Sequence, residues 1–162
     1  KNHVGGIFCY LVVWVSRHTW ALLDKNQIMK IFLHRDPFLL IDEVEELEIG
    51  KRVVAKKFIA PDSFWFRGHF PEHPVTPGVL SVEMLAKAGA VCALAMPENK
   101  GKIAFFAGID KAKFRRQVLP GDTLRLEVEM LKVRGSFGVG KAVATVDGER
   151  AVTAEITFAL GK

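Results

Sequence analysis

Arg67-Gly68-His69-Phe70-Pro71-Glu72-His73-Pro74-Val75-Thr76-Pro77-Gly78-Val79-Leu80-Ser81-Val82-Glu83 is the stretch from which the rest of the chain can be organised. Prolines fall at 71, 74 and 77. Each fixes its own φ and pushes the residue before it away from the α region, so the segment is predicted to run extended, close to polyproline II. Thr76 is a good N-cap, and Pro77 suits a first helical position because its missing N–H has no intrahelical partner there. A helix is therefore predicted from Gly78 to about Met96, ended by Pro97. The result is a rigid strap carrying His69 that leads into a helix N-terminus, with Glu83 a turn and a half further in.

Glu83 is the only acid between Gly78 and Met96. Around it stand Val79, Val82, Ala86 and Ala90, with Ala88, Gly89, Ala93 and Ala95 elsewhere on the helix. A helix this small and apolar on most sides is one that other elements wrap. A carboxyl on it is partly desolvated, which favours its protonated form. The helix N-terminus offers free N–H groups and positive dipole to a carbonyl oxygen gaining negative charge. A base, an acid and an oxyanion site on one strap suit removal of a proton α to a carbonyl.

The pattern G-H-F-P-x-x-P-x-x-P-G-V-L, with a Glu fourteen residues after the His, resembles the β-hydroxyacyl-(acyl carrier protein) dehydratases of bacterial-type fatty-acid synthesis. The resemblance covers about residues 23 to 160. It extends to Ile28-Met29-Lys30-Ile31, His34-Arg35 and Pro37-Phe38-Leu39-Leu40-Ile41-Asp42, then Phe106-Ala107-Gly108-Ile109-Asp110, Phe114-Arg115-Arg116 and Pro120-Gly121-Asp122. It implies His69 as the base, Glu83 as the acid, and Gly78 N–H as the holder of a thioester oxygen, with Phe70 and Val79 beside the substrate. It also implies an acidic acyl carrier protein as partner, bearing substrate on a phosphopantetheine arm, and Arg115, Arg116 and Lys113 as its docking residues. Two subunits are expected to align their sheets, each site taking His69 from one chain and Glu83 from the other, with further association to a hexamer. No cofactor is required, because the thioester itself acidifies C2. Acting on a carrier-bound substrate, the protein is expected in the cytoplasm. The reading includes neither nucleic acid nor membrane.

Bland alternatives stand beside these. His69 alone is as compatible with a structural loop histidine, and Glu83 with Lys87 four residues on is a common surface pair. Lys111, Lys113, Arg115 and Arg116 also read as a solvated face. Phe64, Trp65, Phe66 and Phe70 read mostly as core, some lining an acyl tunnel. His69 and His73 have a helical metal-ligand spacing, but Pro71 and Pro74 forbid that helix, so no metal is expected. The chain departs from the family's usual pattern at Leu33, Asp36, Arg67 and, next to the acid, at Lys87, where a Gln is usual. A lysine there favours the ionised carboxylate over the protonated form that dehydration requires. A hotdog acyl-thioesterase, an isomerising dehydratase relative (whose acid is typically Asp) and a non-catalytic acyl-binding module are the competing readings.

The 162 residues carry a net charge of +5, with 49% hydrophobic and 25% charged side chains, ordinary for one soluble domain. The basic balance steers toward acidic partners; nucleic acid, an anionic membrane and an acidic protein all qualify on composition alone. Cys9 and Cys92 imply no disulfide framework. Residues 1 to 22 stand apart. Gly6 to Val15 is apolar but about half the ~20 residues of a spanning helix. The segment reads as an added strand, a processed leader remnant, which would allow a plastid-type organelle, or a non-native extension.

Asp24 with Gln27 resembles a capping box opening a short helix to about Phe32. Strands are predicted over 38–47 and 52–60 around Glu48-Ile49-Gly50-Lys51, then an apolar one over 102–110 and a basic one over 111–118. Further strands follow over 123–134, 141–146 and 151–160, with 135–140 as a loop and Asp147-Gly148 as a turn. One long small-residue helix with antiparallel strands argues α+β with the sheet wrapped round the helix, the hotdog fold that the resemblance also implies; on pattern alone the alternative is a helix-on-sheet sandwich of another topology.

Overall fold

The computed structural model describes residues 23–162. The reading of residues 1 to 22 falls outside them. Six strands form one antiparallel sheet in the order β1-β2-β4-β5-β6-β3. They are β1 (Glu43–Glu48), β2 (Arg52–Phe58), β3 (Ile103–Phe114), β4 (Thr123–Arg134), β5 (Phe137–Val146) and β6 (Glu149–Gly161). The sheet wraps a single long helix, α2 (Gly78–Leu94), preceded by a one-turn helix α1 (Lys25–Ile28). This is the expected hotdog arrangement. Among the described residues no helix is long and apolar enough to cross a membrane.

The wrapping follows from the composition of α2. Val82, Met84, Leu85, Ala88, Val91, Cys92 and Leu94 are all buried, and they meet Val53, Leu124, Leu126, Val128, Ala144 and Ile156 from the sheet. On β4, Leu124, Leu126 and Val128 alternate with more exposed residues, so one face of the strand supplies the core. Each large side chain buried in this way contributes about 1.5–3 kcal/mol. Gly89 and Gly140 both face Val128, and a Cβ on Gly140 would stand 2.9 Å from a Val128 methyl. The helix and the strand can approach there because these positions are small.

Several local expectations hold. The Asp24–Gln27 capping box is made in both directions. The β1–β2 hairpin closes with Lys51 N–H on Glu48 C=O at 2.9 Å and Gly50 at φ +75°. Asp147 and Gly148 take the two positive φ values of the β5–β6 turn. Others need correction. The predicted strand over 38–47 begins only at Glu43, because Leu40 at φ +57° leaves extended geometry. The strands predicted over 102–110 and 111–118 are one element, β3, which ends at Phe114, so residues 115–118 are not strand. Its pairing with β6 shifts register between Asp110 and Lys113, where Lys111 has φ +51°, and then resumes. The loop predicted over 135–140 shrinks to Gly135-Ser136, since Phe137 already pairs with β4 and β6. The first helix is one turn long, and α2 ends at Leu94.

The strap also differs from its prediction. Phe70 and His73 exchange N–H···O=C bonds at 3.2 and 3.1 Å, so residues 70–73 turn back instead of running as polyproline II. Pro71 sits at the second position of that turn, where its fixed φ is favoured. Of the aromatics read as core, Trp65 and Phe66 are buried, whereas Phe64 and Phe70 stay exposed.

Cys92 is fully buried, and burial pushes its thiol up to about 12. Its Sγ–H donates to Glu48 C=O at 3.5 Å. The peptide carrying Cys92 is expected to stay unmodified by iodoacetamide at pH 8 in the folded protein and to alkylate fully in denaturant. Mass mapping of the labelled protein checks this; labelling without denaturant would mean that the core opens.

Candidate active site

His69 is held by its own strap. Its Nδ1 lies 2.7 Å from Val75 C=O, and because a carbonyl only accepts, Nδ1 carries the proton. In the neutral ring Nε2 is then the lone-pair nitrogen, free to accept. Val75 N–H returns a bond to His69 C=O at 3.0 Å, and the Phe70 ring stacks on the imidazole at 4.2 Å between centroids. The ring is fixed from below and from one side.

The strap delivers the chain to the N-terminus of α2. Thr76 was expected as its cap. Instead its N–H donates to Val118 C=O at 2.8 Å, its buried hydroxyl has no partner, and Pro77 occupies the boundary with no side-chain cap. The first N–H groups of the helix therefore keep their donor capacity. His69, Gly78, Val79, Phe114, Arg115 and Arg116 line one cleft of about 550 Å³. A Cβ on Gly78 would stand 2.5 Å from the Phe114 ring, so only glycine lets that ring lie across the helix start.

Glu83 lies elsewhere. Five residues at 100° each turn it about 140° round the helix from Gly78, and it lines a second cavity of about 220 Å³. There its Oε1 accepts from the Lys87 ammonium. The pair is not the surface bridge of the bland reading, because Lys87 is only 4% exposed. Its Nζ also stands 6.0 Å from the centroid of the Phe38 ring. Phe105 and Phe106 of β3 line the same cavity, as does His34. Burial holds the His34 imidazole below its usual pKa, the Lys87 charge adds to this, and Glu83 opposes it. His34 Nδ1 is enclosed without a partner, with the ring edge-on to Phe32.

Sequence reasoning placed His69, Gly78 and Val79 on one strap, and the structure brings them together. It does not bring Glu83 into their cleft within one chain. His34 was missed as a member of the Glu83 cavity. It appeared only as a motif letter, and no spacing links it to a helix fifty residues away. The two arginines separate. Arg116 is tied to Asp122 at 3.6 Å, Glu149 at 3.4 Å and Val146 C=O at 3.4 Å, whereas the Arg115 side chain is exposed at the cleft. Lys113 is exposed on β3.

Gly78→Ala is expected to push the Phe114 ring aside and narrow the first cleft while leaving the core intact. A crystal structure of the variant would show the rotated ring with unchanged α2; an unmoved Phe114 would mean the helix start shifts instead.

Comparison with known proteins agrees with this architecture. Residues 32–155 match the family model of the FabA-like domain. A 3-hydroxyacyl-(acyl-carrier-protein) dehydratase FabZ of Clostridium novyi (strain NT) is 60% identical over 140 residues, covering 86% of this chain and 99% of that protein. The protein of the same name from Bacillus cereus (strain AH820) is 59% identical, with 86% and 97% covered. Among solved structures, the dehydratase heterocomplex ApeI:P from Xenorhabdus doucetiae superposes with a TM-score of 0.70 at 16% identity, covering 83% of this chain and 91% of that one. A hypothetical thioesterase from Streptococcus pneumoniae TIGR4, solved with coenzyme A, gives 0.56 at 12% identity, with 73% and 84% covered. These two share the fold. The family match and the identity to the dehydratases go further, and the chain belongs to the FabA-like family, among its FabZ-type members.

Proposed function

We propose that this protein dehydrates (3R)-hydroxyacyl-(acyl carrier protein) to the trans-2-enoyl thioester. The observation that carries the reading is the fixed tautomer of His69 beside an uncapped helix N-terminus. His69 Nε2 takes the C2 proton, which the thioester has already acidified. Gly78 N–H and the helix dipole hold the thioester oxygen as it gains charge. Glu83 gives a proton to the departing C3 hydroxyl, directly or through water, and the conjugated enoyl product leaves with one water. Phe70 and Val79, exposed next to His69 and the helix start, are the apolar contacts for the substrate. Dehydration of a hydroxyacyl carrier-protein thioester, followed at the conjugated product, tests the reading. Release of free acid instead would favour the thioesterase reading, and binding without turnover the acyl-binding module.

The separation of His69 from Glu83 supports a site shared between two subunits. β3 is an edge of the sheet, and Phe105, Phe106 and Ile109 stand exposed along it, the first two beside Glu83. Pairing of two β3 edges would cover these side chains and bring the partner's strap toward the Glu83 cavity. We propose a homodimer on this edge, associating further to a hexamer. With its substrate held on a carrier protein, we further infer a cytoplasmic location.

Mixing inactive His69→Ala with inactive Glu83→Ala subunits is expected to recover about a quarter of wild-type activity after full exchange, since half the dimers are mixed and each has one intact site. Proven exchange without recovery would sink the shared site.

Arg115 and Arg116 are expected to behave differently. Arg115→Ala raises KM for carrier-bound substrate several-fold and leaves a pantetheine thioester nearly unaffected. Arg116→Ala lowers the thermal midpoint and weakens both substrates alike, having lost its contacts to Asp122 and Glu149. Equal losses on both substrates for Arg115→Ala would remove it from docking.

A further inference from the structure

Lysine is almost never buried unless paired. Lys87 is the one charged residue in the buried set among the described residues, in the middle of the most enclosed helix of the fold. Two contacts hold its ammonium: it donates to Glu83 Oε1 and it lies 6.0 Å from the centroid of the Phe38 ring. Its charge also disfavours a second positive charge on His34, which lines the same cavity. Glu83, Lys87 and His34 are the titratable side chains lining the cavity, and the remaining walls are apolar, including Ala90, Phe106, Val128 and Met130.

We propose that Lys87 is a positioning residue for Glu83: its ammonium fixes the carboxylate through Oε1, leaves Oε2 for the substrate, and sets the charge balance of the cavity. The kinetic consequence rests on the dehydratase reading above; the electrostatic one does not. Glu83 has to hand its proton to the C3 hydroxyl from one fixed place, and a donor hydrogen-bonded to Oε1 keeps the carboxyl turned that way.

Lys87→Gln keeps an N–H donor and removes the charge, Lys87→Met removes both, and Lys87→Arg keeps both. Maximal kcat stays within a few-fold of wild type in Gln and Arg and falls at least ~10-fold in Met, where nothing orients Glu83. The His34 imidazole reports independently of turnover. Its NMR titration, assigned against His34→Gln, moves up in Lys87→Gln because one of the two causes that lower it is gone. If wild type fails to dehydrate the thioester, the functional reading falls, and the His34 titration still decides whether Lys87 charges the cavity. Should Gln fail to fold, Met carries the same His34 shift. An unmoved His34 in the charge-free variants overturns the proposal, as does a Met variant that keeps wild-type kcat or an equal His34 shift in Arg.

Discussion

Burial of one helix inside a curved sheet is the constraint from which the other features descend. The helix α2 presents buried side chains on most of its circumference, so it cannot lie on a surface. β2, β4, β5 and β6 supply the inner faces that take it up, and small residues such as Gly89 and Gly140 set how closely they approach. Leaving a polar group on such a helix buried and unsatisfied costs about 1–3 kcal/mol. Glu83 and Lys87 satisfy one another. The hydroxyls of Ser81 and Thr76, near the helix start, are buried without partners and carry that cost.

The helix start is where the reactive geometry is assembled. A carbonyl of the strap fixes the His69 tautomer, the turn at 70–73 places the ring, and the missing cap leaves N–H groups available. None of these alone makes a site. Together they put a lone-pair nitrogen beside a patch of positive dipole, in a cleft whose floor is the Phe114 ring lying against Gly78. The same residues that enter the helix thus present the imidazole lone pair and the uncapped N–H groups together.

The acid side obeys a different balance. Taking a carboxylate and an ammonium from water costs several kcal/mol per ion, recovered only by close pairing and further contacts. Lys87 gains such contacts from Glu83 and the Phe38 ring, and burial together with the Lys87 charge holds the His34 imidazole below its usual pKa. The carboxyl on α2 therefore works inside a charge set by its neighbours.

The helix and the hairpin turns at Gly50 and Asp147-Gly148 were legible in the amino-acid order, and His69, Gly78 and Glu83 stood out as candidates by their fit to a family pattern. The helix and the turns are local features: proline fixes φ, glycine and asparagine-like residues permit positive φ, and an apolar run has only one solution in water. The tertiary structure alone decided what depends on distant partners. It merged two predicted strands into β3, because pairing with β6 continues past the break at Lys111. It turned the strap back between Phe70 and His73. It tied Arg116 into the fold while leaving Arg115 exposed, a distinction that adjacent letters cannot carry. It also buried Lys87 and brought His34 to Glu83 from another part of the chain, because helical spacing fixes which side chains share a face but not what covers it.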